Sequence, residues 1–114
     1  MKHSVGKVIP AATLTELFIV PAGYKAEVST LFASNHTGNN KTITLYWQHA
    51  HDITHKIYIV FGYVLSSNNY LQFSDSMVMQ SGDSIQVLTE AGSEMSVIAS
   101  FDLYKENTVP FMAD

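Results

Sequence analysis

Hydrophobic and polar residues alternate at every second position through much of this chain, and no stretch sustains a helical period. The alternation is cleanest over residues 42–48. There Ile43, Leu45 and Trp47 point one way, while Thr42, Thr44, Tyr46 and Gln48 point the other. Successive strand side chains leave opposite faces, so this segment predicts a strand with one face inward. Residues 56–64 read the same way, with Ile57, Ile59, Phe61 and Tyr63 on a common face. The polar connection His51-Asp52-Ile53-Thr54-His55 lies between them, so residues 41–65 predict an antiparallel hairpin.

The remaining chain divides at turn residues. Residues 13–20 (TLTELFIV) predict a strand with Leu14, Phe18 and Val20 in alternation, ended by Pro21-Ala22-Gly23. Residues 25–35 predict a second strand, whose broken alternation at Ser29-Thr30-Leu31-Phe32 is where a β-bulge would sit. Further short strands are expected at 70–73, 77–80 and 84–89. A long one is expected at 95–104, with Val97, Ala99, Phe101 and Leu103 on one face. Short strands separated by Gly, Asn and Ser turns predict an all-β fold. The expectation is an antiparallel β-sandwich, jelly-roll-like or Ig-like, of about seven or eight strands. Its domain would span residues 13–104, with an N-terminal arm at 1–12 and a C-terminal tail at 105–114.

Composition narrows the function classes. The chain has 114 residues, 46% hydrophobic and 14% charged, so one core can form without a metal or a disulfide. The charged share falls below the roughly 25% of an average soluble domain, which leaves a neutral surface suited to packing against other protein. A net charge of −4 argues against electrostatic capture of nucleic acid. Cysteine is absent, which removes thiolate chemistry and dependence on an oxidising compartment. No signal peptide is read at the N-terminus, and no apolar run reaches the roughly 20 residues of a membrane-spanning helix.

Candidate chemistry is sparse. His49, His51 and His55, with Asp52, crowd the hairpin tip. Imidazole and carboxylate suit zinc or nickel, but the spacing matches no metal motif, and no metal or cofactor is expected. Asp75, Asp83, Glu90 and Glu94 lie in or beside turns, where acids serve the backbone. No nucleophile elbow, phosphate-binding loop or calcium loop is present, so no catalytic residue is assigned and no enzyme is expected. One of Tyr46, Trp47, Tyr58, Tyr63 and Tyr70 could stack on a sugar; the alternative is that Trp47 fills the core beside Ile43 and Leu45 and the tyrosines sit half-buried with the hydroxyl in water. The tail carries Val109, Phe111 and Met112, an apolar cluster with nothing local to bury against. It folds back on its own domain or docks on a partner.

The order of segments resembles small head- or tail-associated virion proteins of tailed bacteriophages. The residues that carry the likeness are Val20-Pro21-Ala22-Gly23-Tyr24-Lys25-Ala26, Leu31-Phe32-Ala33-Ser34-Asn35 and a Thr-rich strand ending in Tyr46-Trp47. Gln80-Ser81-Gly82-Asp83-Ser84-Ile85 and Val97-Ile98-Ala99-Ser100-Phe101 complete the set. The resemblance spans residues 13–104 and consists of strand and turn grammar without catalytic signatures. It implies a structural protein of a virion assembled in the host cytoplasm, a homo-oligomer that binds major capsid or tail proteins. Capsid decoration or cement is the leading expectation. A tail, neck or fibre component, or a carbohydrate- or receptor-binding sandwich, is the alternative.

Overall fold

The structure, a computed structural model, describes residues 2–50 and 56–106. Among these residues the fold is all-β, with nine strands: β1 (Lys2–Ile9), β2 (Thr15–Ile19), β3 (Tyr24–Asn35), β4 (Lys41–Gln48), β5 (Lys56–Leu65), β6 (Tyr70–Phe73), β7 (Met77–Met79), β8 (Ser84–Thr89) and β9 (Met95–Lys105). Every pairing is antiparallel. One sheet runs β1-β9-β3-β6, with β7 also paired to β3, and the other runs β2-β8-β4-β5. Because β6 pairs with Leu31–Ser34 and β7 with Ala26–Val28, the two behave as halves of one broken strand. Each sheet interleaves strands from the two ends of the chain, which is the double Greek-key order of a jelly roll.

The inward faces of both sheets supply the core. Leu17, Val28, Leu31, Ile43, Leu45, Ile85, Val87 and Val97 are all buried. Burying each such side chain favours folding by about 1.5–3 kcal/mol. The expected faces of β4 and β9 are the observed ones: Ile43 and Leu45 are buried, as are Val97, Ala99 and Phe101, and Trp47 packs against them half-buried. The expected bulge in β3 is present, as a register shift between Val28 and Thr30.

Three expectations change. Residues 2–9 of the expected arm form β1, paired along its length with β9 from Lys2↔Asp102 to Ile9↔Met95. Only Val5 and Ile9 of this strand are aliphatic at core-facing positions. His3 stacks on Phe101 with centroids 5.6 Å apart, and Lys7 donates to the Glu16 carbonyl at 2.7 Å, so the apolar period is too thin to read. In β2 a bulge between Glu16 and Phe18 turns both Leu17 and Phe18 inward and leaves Leu14 exposed, against the expected alternation. In β5 the register shifts twice, between Ile43 and Leu45 and between Leu45 and Tyr46 of its partner. Ile59 and Val60 therefore both pack against the core, while Phe61 is 73% exposed rather than sharing the face of Ile59.

Two buried polar side chains close the ends of the sandwich. At one end Asp83 accepts hydrogen bonds from Trp47 Nε1, Ala50 N and Gln80 N, each at 3.0 Å. Its carbonyl accepts from Val20 N at 2.8 Å, so one residue ties β2, β4 and the turn between β7 and β8. At the other end Asn35 Nδ2 donates to the carbonyls of Asn39 and Leu65 at 2.9 Å, and its Oδ1 accepts from Thr37 N and Oγ1. Gly82, next to Asp83, has φ +85°, and a Cβ there would lie 2.7 Å from the Ala50 Cβ. Asp83→Ala leaves three part-buried donors without their acceptor and is expected to lower unfolding free energy by about 2–3 kcal/mol in urea melts. Asp83→Asn, which keeps one acceptor oxygen, should cost less.

Candidate interaction surface

Ten residues of β5 carry one charge, Lys56, and the strand lies at an edge of its sheet, hydrogen-bonded to β4 alone. An edge of this kind offers unpaired N–H and C=O groups to another chain unless it is blunted. Here the two bulges interrupt the even ladder that an added strand requires, and they also redirect the side chains. Gly62 takes φ +58°, and its N–H donates to Thr44 Oγ1 at 2.9 Å instead of joining the ladder. The result is a strand apolar on both faces. Ile59, Val60 and Leu65 serve the core, while Ile57, Tyr58, Phe61, Tyr63 and Val64 face solvent.

The exposed groups form a connected aromatic patch with β4. Tyr58 meets Phe61 edge to face at 4.8 Å between centroids, and meets Tyr46 likewise at 5.8 Å. The Lys56 ammonium sits 4.9 Å over the Tyr46 ring. Tyr46 is buried, yet it lies outside the core cluster, because Lys56 and Tyr58 cover it on the outer face of the sheet. Beyond Val64 and its partner Thr42 the patch borders a shallow groove of about 340 Å³ lined by Ala12, Thr42, Thr44, Leu88 and Glu90. Aromatic faces over a neutral rim suit a protein contact, since such surfaces are enriched in Tyr, Trp and Phe and depleted in charge.

Other candidates fall elsewhere. His51, Asp52 and His55 of the hairpin tip, and Val109, Phe111 and Met112 of the tail, lie outside the described residues. The His49 ring lies tilted against Trp47 with centroids 4.9 Å apart, and its Nδ1 lies 3.6 Å from Asp83 Oδ2, an ion pair when the ring is protonated. Among the described residues no three metal-ligating side chains converge. Trp47 is a core-edge side chain bonded to Asp83 rather than a free platform. One contact was not anticipated: His36 Nε2 lies 3.1 Å from Ser34 Oγ and 3.2 Å from Ser96 Oγ. No carboxylate among the described residues orients this histidine, so the arrangement lacks the third member that fixes a catalytic tautomer. On the same sheet the Tyr104 phenol is raised above its ordinary value by desolvation first, and then by the charges of Asp102 and Glu27. It donates to Glu27 Oε1 at 3.4 Å.

The sequence signal for the β5 patch was Gly62, a lone glycine in an apolar run, which marks a bulge. The run from Ile57 to Leu65 is also more apolar than a strand with one wet face requires.

Comparison with known proteins bears on the fold. No protein family matches the chain by sequence, and no curated protein does. Among solved structures it is similar to one from Bacillus endospore appendages, described as a novel family of disulfide-linked pili. The TM-score is 0.56 at 15% identity, over 94% of this chain and 87% of that one. Structures of infectious bursal disease virus, strains Gt and Gx, align at TM-scores of 0.44 and 0.43 with 15% and 11% identity. They cover 90% and 96% of this chain but 30% and 31% of the viral ones. The likeness to the pilus protein is one of fold.

Replacing Phe61 by Ser removes exposed apolar surface without touching the core. It is expected to leave unfolding free energy within about 0.5 kcal/mol of the parent while lowering fluorescence of the hydrophobic dye ANS.

Proposed function

We propose that this chain is a non-enzymatic structural subunit that joins other protein subunits through the outer face of β5. The observation that carries this reading is the contiguous exposure of Ile57, Tyr58, Phe61, Tyr63 and Val64 on one edge strand. The contact is made by side chains rather than by strand addition, because the bulges leave no even ladder to extend. Similarity of fold to a pilus protein supports an assembly role, and jelly rolls also build viral capsids. Cysteine is absent, so contacts made by these residues are not disulfide-linked.

The finer reading is a bacteriophage virion protein, with capsid decoration as its role and with major capsid or tail proteins and further copies of itself as partners. It rests on the segment order described above and on the low surface charge. Val109, Phe111 and Met112 are proposed as a second contact, an apolar segment following β9. The N-terminal segment is not proposed as a free arm, since β1 completes a sheet.

Analytical ultracentrifugation of the parent and of Phe61→Lys tests the surface. The parent is expected to self-associate, or to bind particles isolated with it, and the variant to lose at least about tenfold in affinity at unchanged stability. Equal association by both would remove β5 from the interface. Deletion after Glu106 is expected to weaken particle binding further. Quantitative mass spectrometry of purified particles sets the location. Copies on the scale of the major capsid protein mean decoration, copies on the scale of a portal or tail ring mean a neck or tail component, and absence overturns the virion reading.

A further inference from the structure

A second surface, on the other sheet and independent of β5, has the chemistry of a small-molecule site. Phe32 of β3 and Tyr70 of β6 stack with centroids 5.2 Å apart and 21° between planes, and Tyr70 is 58% exposed. With Ser34, His36, Asn68 and Asn69 they line a groove of about 310 Å³. The groove is shallow and open to solvent, so it would receive one face of a ligand rather than enclose it.

The lining decides the ligand class. It contains no Lys, Arg, Asp or Glu, so no permanent charge selects a phosphate or a cation there. It is also too rich in amide and hydroxyl groups for a purely apolar ligand, whose entry would strip them of water. A neutral, polyhydroxylated ring satisfies both halves of the surface. Its C–H face packs on an aromatic face, and its hydroxyls meet the planar amides. The Tyr70 hydroxyl, the Asn68 amide and Asn69 Nδ2 make no hydrogen bond to another described residue, so all three can turn to a ligand.

The groove is also held in place before any ligand arrives. Asn69 N donates to the Ser66 carbonyl at 3.1 Å, closing a turn in which Asn68 adopts φ +57°. Asn69 Oδ1 accepts from Tyr70 N at 2.8 Å, which points its amide nitrogen away from the backbone. Asn35 N donates to the Asn69 carbonyl at 2.9 Å, and the buried Asn35 side chain anchors the neighbouring loops. A preformed groove loses little conformational entropy when it binds.

We propose that this groove binds one pyranose unit of a neutral glycan, with Tyr70 as the stacking platform and with Asn68, Asn69 and the Ser34–His36 pair as hydroxyl partners. The activity is separate from the assembly role assigned to β5, and either can fail without the other.

The test is NMR titration of the full chain with a panel of glucose, galactose, mannose, N-acetylglucosamine and their short oligomers, with glucuronic acid as the charged control. One neutral sugar is expected to shift the amide resonances of Phe32, Asn68 and Tyr70 while leaving those of Tyr58 and Phe61 in place. Tyr70→Ala is expected to weaken that sugar roughly tenfold. Asn68→Gly, which keeps the turn because glycine accepts its φ, should weaken binding at unchanged stability. Phe61→Lys should leave it unaltered. Failure of every neutral sugar to shift these resonances, preference for glucuronic acid, or undiminished binding by Tyr70→Ala would each overturn the proposal.

Discussion

A carboxylate removed from water must find donors, and in this fold Asp83 finds two at the end of β4 and one in its own turn. Trp47 Nε1 comes from the end of β4, Ala50 N from just past it, and Gln80 N from the approach to β8. A charge buried without such partners would destabilise the fold severely; with them it fixes where the strands of both sheets stop. The tight turn at Gly82 exists to deliver this side chain, and the close approach of Ala50 leaves no room there for a Cβ. Asn35 plays the neutral counterpart at the opposite end, where it joins the last residue of β3 to the end of β5. With its ends pinned by directional bonds and its middle filled by aliphatic side chains, the sandwich needs no disulfide.

Which parts of this arrangement could be read from residue order depends on how regular the local period is. β4 and β9 keep strict alternation, and Ile43, Leu45, Val97 and Ala99 sit where that alternation puts them. The broken pattern of β3 correctly signalled its bulge. β5 and β2 defeat the same rule because a bulge adds one residue and reverses every later side chain. Phe61 was read as sharing the face of Ile59 for that reason and is instead among the most exposed side chains. β1 was missed because His3 and the exposed Lys7 fall in step with Val5 and Ile9, where aliphatic residues would have made the period legible. Asp83 and Asn35 look like ordinary turn residues in sequence; their burial is created by chain segments far away along the polypeptide.

The two candidate surfaces follow from the same economy of charge. The outer face of β5 is apolar with an aromatic cluster, so water leaves it readily and protein can replace it. The Phe32–Tyr70 groove keeps amides beside its rings, so water leaves it only for a ligand that restores those hydrogen bonds. They lie on different sheets, which lets one subunit sit in an assembly while presenting the other sheet outward.

The pairing of β1 with β9 has a consequence for how the chain comes to be folded. Lys2 lies opposite Asp102, and β9 occupies the interior of its sheet between β1 and β3. During synthesis β1 and β3 therefore emerge with no strand between them, and the backbone edges that face β9 stay unpaired until residues 95–105 have been made. The first sheet therefore closes only once β9 has been made, rather than in stages as its other strands emerge. Contacts this distant in sequence form slowly, and partly made chains expose unpaired edges meanwhile. A nascent chain that stops before Met95 thus lacks an interior strand of its first sheet and keeps two backbone edges open.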